Sequence, residues 1–272
     1  MLLADTDKVF SGSIPALYES HLVPLIFEPY AADLKRRVAS MSISRLLEVA
    51  AGTGVVTRAL ASIPNENMAI VATDLNQAML DQAAAVGTAR PVQWQQADAL
   101  ALPFSDGEFD AVVCQFGAMF FSDKAKAFSE ARRVLKPGGV FMFNVWDSIS
   151  ENEFADTIAT ALAAVFPDDP PRFLARTPYG YHDRAIIAQD LAMAGFTQSP
   201  QIVTLAALSR AQSAREPAIA YCQGTPLRSE IEARDASRLG EATDKAASAL
   251  AQRFGPNAVD GKIQALVVII ER

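Results

Sequence analysis

Five residues have the types and spacing to handle a nucleoside: Glu48, Gly52, Gly54, Asp74 and Asp98. The segment Leu46-Leu47-Glu48-Val49-Ala50-Ala51-Gly52-Thr53-Gly54 leaves an apolar strand and enters a helix, a context in which a glycine turn brings backbone N–H groups up to a ligand. Asp74 stands 20 residues after Gly54 at the end of the next strand, where a carboxylate can accept from both hydroxyls of a ribose. Gln96-Ala97-Asp98-Ala99 follows the third strand and sets a carboxylate and a backbone N–H where an adenine edge is read. Glu48 ends the first strand with a charge that suits a cationic ligand end, such as an ammonium, better than a pyrophosphate. A dinucleotide fingerprint beginning at Gly52 needs glycine at position 57, which is Thr57. Together the five describe a site for an adenosine bearing an amino acid.

The elements that must position these residues alternate along the chain. Strand-like runs at 43–50, 68–73, 92–96, 109–115 and 140–146 are separated by helical patterns at 55–62, 76–86 and 123–135. Asn76 is a candidate helix cap, Gly87 a stop, and Lys136-Pro137-Gly138-Gly139 a turn before the fifth strand. Five strands joined this way predict a doubly wound parallel sheet. An amphipathic helix is predicted over 151–166, a proline-stiffened loop over 168–181 and a helix over 183–194. Late strands at 202–208 and 265–270 flank a polar, alanine-rich helical region at 211–254. The expected fold is α/β, a Rossmann-like doubly wound seven-stranded sheet of five parallel strands plus a C-terminal strand pair. It carries a helical N-terminal segment and a helical insertion before the last strand.

With these motifs in place, the sequence resembles a class I S-adenosylmethionine-dependent methyltransferase of the ubiquinone/menaquinone-biosynthesis-like (methyltransferase type 11) group. The matching residues are Glu48 to Gly54, Val71-Ala72-Thr73-Asp74, Ala97 to Phe104, Phe109 to Val113 and Arg133 to Gly139, which cover about 43–147 in the family's order. The group prefers glycine where this chain has Ala50, a substitution that a negative φ would accommodate. The resemblance implies one methyltransferase domain over 1–272. Its parts are an N-terminal cap at 1–40, a cofactor-binding core at 41–147, a lid and helices at 148–200, and the last two strands with the insertion 211–254 at 201–272. The implied cofactor is S-adenosyl-L-methionine, with S-adenosyl-L-homocysteine as product. Gly52, Gly54, Glu48 and Ala50 would face its methionyl and ribose parts, and Asp74 the ribose hydroxyls. Leu75 and Met79 would pack near the adenine, Asp98 and Ala99 would read its edge, and Gln115 and Phe116 would line the methyl-transfer mouth. Tyr18 and Tyr30 are candidates for an aromatic that closes the pocket.

Composition narrows the partners. The 272 residues carry a net charge of −7, which disfavours nucleic acid and other polyanions. Two cysteines and two histidines supply no four-ligand metal cluster, so no metal is expected. The amino terminus has acids where a leader needs basic residues, and no apolar run reaches the ~20 residues of a membrane span; a cytoplasmic protein without membrane insertion is expected. A small organic molecule is the expected acceptor, with the run Phe116 to Phe121 and the residues Phe166, Phe173, Leu174, Tyr179 and Tyr181 available to wall it. His21 and His182 are the candidate bases, and the catalytic residue stays unassigned, as does the choice between monomer and homodimer. Cys114 reads as a small core residue. The competing readings are an NAD-dependent oxidoreductase, disfavoured by Thr57 and by the lack of a Tyr-x-x-x-Lys pair, and a non-catalytic S-adenosylmethionine-binding protein.

Overall fold

Short β-branched runs alternating with helical periods favour parallel strands joined by crossover helices. The computed structural model, which describes residues 12–272, has this architecture. The reading of the amino terminus above falls on residues 1–11, outside the described residues. The strands are β1 (Arg45–Val49), β2 (Ala69–Asp74), β3 (Gln93–Gln96), β4 (Phe109–Gln115), β5 (Leu135–Trp146), β6 (Gln201–Ala211) and β7 (Val259–Glu271). The first helices are α1 (Ile14–Leu17), α2 (Glu28–Ala39), α3 (Val55–Ala61), α4 (Gln77–Val86), α5 (Lys124–Val134) and α6 (Glu153–Val165). They are followed by α7 (Phe173–Arg176), α8 (Arg184–Met193), α9 (Arg215–Gln223), α10 (Leu227–Asp235) and α11 (Leu239–Phe254).

Two compact units are distinguished. One comprises Glu28–Val145, His182–Thr204 and Leu266–Arg272; the other comprises, among the described residues, 12–27, Trp146–Tyr181 and Leu205–Ala265. The strand order is β3-β2-β1-β4-β5-β7-β6. β1 runs parallel to β2 and β4, β2 to β3, and β4 to β5. The last two strands form an antiparallel pair, so the seven-stranded Rossmann-like sheet expected from the sequence is present.

In the first unit, Ala31, Leu34 and Val38 of α2 and Val56 and Leu60 of α3 bury one face of the sheet with Leu46, Ile70, Ala111, Val113 and Met142. On the opposite face the Phe128 ring of α5 packs on Phe141 and Phe143, with Phe196 stacked on Phe141. In the second unit, α11 lies along α6, where Phe154 meets Phe254 edge to face at 5.1 Å. A side chain on Gly261 would run into the Phe154 ring at 2.6 Å, so the glycine lets the start of β7 pass under it. Asn152 ties the same strand in place: Nδ2 donates to the Ser148 and Gln264 carbonyls, and Oδ1 accepts the Gln264 N–H at 3.0 Å.

Several boundaries differ from the sequence reading. β5 begins at Leu135 rather than Val140, because Leu135 is fully buried and pairs with Phe109 before a register shift reaches Ala111. The proline-glycine turn is thereby absorbed as an irregularity within the strand. β7 begins at Val259 because its first half alternates buried and exposed residues, whereas only its second half is the continuous apolar run the sequence advertises. Tyr18–Phe27 forms a wide π-type helix around Pro24, a residue without the N–H that regular helical bonding needs. The expected loop at 168–181 contains α7, and the insertion resolves into α9, α10 and α11.

One cation organises the segment after β3. Arg133 Nη1 donates to the Phe104 carbonyl at 2.7 Å and Asp106 Oδ1 at 2.8 Å, while Nη2 donates to the Leu102 carbonyl and Glu130 Oε2. The Leu102 N–H donates in turn to Glu130 Oε2 at 2.9 Å. These bonds hold Glu130 below the usual carboxylate range. Arg133→Met should cost about 1–3 kcal/mol, since it removes the paired guanidinium donors of a largely buried carboxylate and one donor from each of two carbonyls. Urea denaturation checks it.

Candidate functional site

The residues singled out by type and spacing converge where four parallel strands end. Glu48 lies next to last in β1, Asp74 ends β2, Asp98 follows β3 and Gln115 ends β4. Side chains two residues apart share a sheet face, so Glu48 continues the line of Leu46, and Gln115 that of Ala111 and Val113. Backbone bonds tie the ends together: the Ala51 N–H donates to the Thr73 carbonyl at 2.9 Å and the Ala97 N–H to the Asp74 carbonyl at 3.0 Å.

Asp74 is the anchor of the glycine turn. Its Oδ2 accepts the Gly52 N–H at 2.9 Å and its Oδ1 accepts the Asn76 N–H at 2.8 Å. Asn76 occupies the N-cap position of α4, as the sequence suggests, but its side chain turns back to Asp74 at 3.5 Å and makes no cap bond. Gly52 and Gly54 have φ of 56° and 85°, the left-handed region that glycine enters freely. A side chain on Gly54 would meet both Ala83 and Trp94 at 3.1 Å, so that glycine also permits close packing of the turn on α4.

Glu48 is 2% exposed, and its Oε2 accepts a bond from the Thr57 hydroxyl at 2.6 Å. Burial, and to a smaller degree the nearby charge of Asp74, push its carboxyl from 4.5 up to about 8. Burial raises Asp74 as well, against the lowering effect of its amide donors. Thr57, noticed in the sequence only as a broken dinucleotide fingerprint, is therefore the residue that holds Glu48. The partners of these two acids are a hydroxyl and amides, so a cationic ligand with hydrogen-bond donors fits them.

The remaining candidates fall into distinct environments. Leu75 is 46% exposed, an uncovered apolar side chain directly after Asp74, and Met79 is buried beneath the turn. Asp98 is exposed and its Oδ1 accepts the Leu100 N–H at 2.9 Å, while Ala99 is half-buried. Gln115 is buried, and Phe116 meets the fully buried Tyr30 edge to face at 5.1 Å. Tyr18 is half-buried in the other unit, stacked on Phe27 at 5.1 Å. Nδ1 of His21 lies 2.7 Å from the Ser20 hydroxyl, and His182 is half-buried. Phe166, Phe173, Leu174, Tyr179 and Tyr181 are buried in the second unit, where Tyr179 packs near Trp146 and its hydroxyl meets that of Tyr221 at 3.2 Å. Cys114 and Cys222 are both buried, and burial pushes each thiol up to about 12.

Ala50 departs from the sequence expectation. Its φ is +56°, not negative, so the side chain is held in a strained conformation, and Phe116 is the other non-glycine residue described with positive φ, at +54°. The two strained turns face each other: a Cβ placed on Gly117 would fall 2.4 Å from the Ala50 methyl and 2.8 Å from the Cys114 sulfur. Gly117 is thus required by the alanine opposite.

Residues 47–143 match the family model described as a methyltransferase domain. The match spans the strands and turns that carry Glu48, Gly52, Gly54, Asp74 and Asp98. The chain is similar to the ubiquinone/menaquinone biosynthesis C-methyltransferase of Ectopseudomonas mendocina, at 43% identity over 35% of this chain and 39% of that protein. It is also similar to its namesake from Hahella chejuensis, at 35% identity over 50% of this chain and 64% of that protein. The chain therefore spans less than two thirds of the length of either relative. The YcgJ protein of Bacillus subtilis shares the fold, with a TM-score of 0.57 at 18% identity over 90% of this chain and 98% of that one.

Two outcomes are expected. Ala50→Gly should stabilise the protein by about 0.5–1 kcal/mol, because relief of left-handed strain exceeds the added freedom of the unfolded chain; thermal unfolding measures it. Glu48 holds a proton in the fold that the unfolded chain releases near 4.5. Its contribution is therefore present below that pH and is lost as pH rises through about 8. Glu48→Gln should flatten that part of the decline in melting temperature, measured from about pH 5 to 8.5.

Proposed function

We propose that the chain transfers a methyl group from S-adenosylmethionine to a small organic acceptor. The observation that carries this reading is the pair of buried carboxyl groups, Glu48 and Asp74, set around a glycine turn at the ends of neighbouring strands. Asp74 would hold the ribose hydroxyls, and Leu75 and Met79 would cover the adenine, whose edge Asp98 and the Ala99 N–H would read. Glu48, Ala50, Gly52 and Gly54 would face the methionyl part, and Gln115 and Phe116 the reacting methyl. Tyr30, placed against Phe116, is the stronger candidate for a closing aromatic, and Tyr18 the second.

When bound, the cofactor supplies a methyl already activated on a sulfonium, which departs as a neutral thioether. The work left to these residues is alignment of the two reactants and exclusion of water, worth up to ~7–11 kcal/mol in favourable cases. A dedicated base matters where the acceptor must first lose a proton, and neither His21 nor His182 is assigned that role. The C-methyltransferase names of the two curated relatives support a small organic acceptor. The net charge of −7 supports the absence of a nucleic-acid partner and a soluble protein, for which a cytoplasmic setting is part of the proposal. Among the described residues no helix is long and apolar enough to cross a membrane.

Calorimetry with S-adenosylhomocysteine and with NAD tests the ligand, and label from methyl-labelled S-adenosylmethionine, followed into small metabolites, RNA and protein, tests the acceptor. Binding of NAD alone would sink the reading, and label confined to RNA or protein would sink the small-molecule assignment. Binding without transfer would leave a non-catalytic cofactor-binding protein. Asp74→Ala should weaken S-adenosylhomocysteine binding at least about 30-fold, the loss of roughly 2 kcal/mol of charge-assisted hydrogen bonding.

A further inference from the structure

Asn144 lies in β5 with its side chain fully buried, and among the described residues neither its Oδ1 nor its Nδ2 has a hydrogen-bond partner. A buried carboxamide left in this state weakens the fold, and buried polar groups are ordinarily paired. Asn152, equally buried, shows the ordinary case, with donors and acceptor both engaged. A structural role for the Asn144 side chain therefore has no bond to point to. Its backbone is engaged, the carbonyl accepting the Phe116 N–H at 3.0 Å.

The direction of the amide follows from the strand period. Met142, two residues earlier, packs with Leu46, Ala111 and Val113, so Asn144 continues the same sheet face at its C-terminal end. That end carries Glu48, Asp74 and Gln115, and Gln115 is the register partner of Asn144. Across the sheet, β3, β2, β1 and β4 contribute Asp98, Asp74, Glu48 with the glycine turn, and Gln115 in that order. In the reading proposed above, this is the order of the cofactor from adenine to sulfonium, and β5 is the next strand beyond the methyl.

We propose that Asn144 is a positioning residue for the methyl acceptor, and that the acceptor presents a hydroxyl to it. A hydroxyl accepts from Nδ2 and donates to Oδ1, which satisfies both halves of the carboxamide at once. A carboxylate would leave Oδ1 unpaired, and an ammonium would leave Nδ2 unpaired. The inference rests on the methyltransferase reading, and it adds the chemistry of the acceptor's polar end.

Asn144→Leu, near in volume and apolar, is the informative variant, with Asn144→Ala as a second should leucine not fit. Three measurements apply to each: melting temperature, calorimetric affinity for S-adenosylhomocysteine, and transfer of labelled methyl to the small-molecule fraction of a bacterial extract over a dilution series. The expected result for the leucine variant is a melting temperature no lower than that of the native protein. In both variants cofactor-product affinity should stay within about threefold and transfer to hydroxyl-bearing products should fall at least about tenfold, with more extract needed for half-saturation. Transfer retained by both variants, or product affinity lost in parallel with transfer, would overturn the assignment while leaving the methyltransferase reading intact. A melting temperature lowered by several degrees in the leucine variant would also overturn it, by giving the amide a structural role. No transfer by the native protein would overturn the methyltransferase reading and this assignment with it.

Discussion

Two carboxylates that repel one another are buried at the ends of neighbouring strands, and much of the first unit is arranged around that tension. Left alone, each acid resists ionisation, Glu48 enough to be pushed up to about 8. The chain offsets the cost locally, with the Thr57 hydroxyl on one acid and the Gly52 and Asn76 amides on the other. The positive charge of Arg58 eases Glu48 further, yet the carboxyl still stands well above its ordinary range, so a further opposite charge is favoured there. A ligand that brings one finds donors and acceptors already oriented, because the same bonds that support the acids also fix the glycine turn.

That turn is held more tightly than its glycines alone would require. Ala50 and Phe116 both occupy the left-handed region, and the Ala50 methyl comes so close to Gly117 that the two loops constrain each other. Strain of this kind persists only where surrounding structure over-determines the backbone. Here the over-determination comes from buried strands on either side: Leu46, Leu47, Val112 and Val113 are all fully buried, in register across β1 and β4. The ends of two central, buried strands are thus paired with loops that have little freedom to move.

The parts legible in the sequence are those whose signal is local. Gly52, Gly54 and Asp74 announce themselves because a turn, a strand end and a spacing coincide within one βαβ unit, and the structure joins them through a single bond. β4 is found residue for residue because it is buried along most of its length and reads as one apolar run. The start of β7 is missed because alternating burial there resembles loop polarity, and β5 is shortened because a proline and two glycines look like a stop. Thr57 is visible only as a missing glycine; its bond to Glu48 depends on how a helix folds back on a strand. Asn144 carries a faint signal, an amide between Phe143 and Val145 in an otherwise apolar strand, but its lack of partners exists only in three dimensions.

The burial of both sulfurs has a consequence for how this protein meets oxidants. Cys114 and Cys222 are enclosed, with thiols pushed up to about 12, so the nucleophilic thiolate is scarce in the native state near neutral pH. Peroxide, disulfides and alkylating agents reach these atoms only when the fold opens. The rate at which these two thiols are modified in the native protein is therefore a clock for transient opening, and Cys114, at the register position opposite Phe143, times the sheet itself.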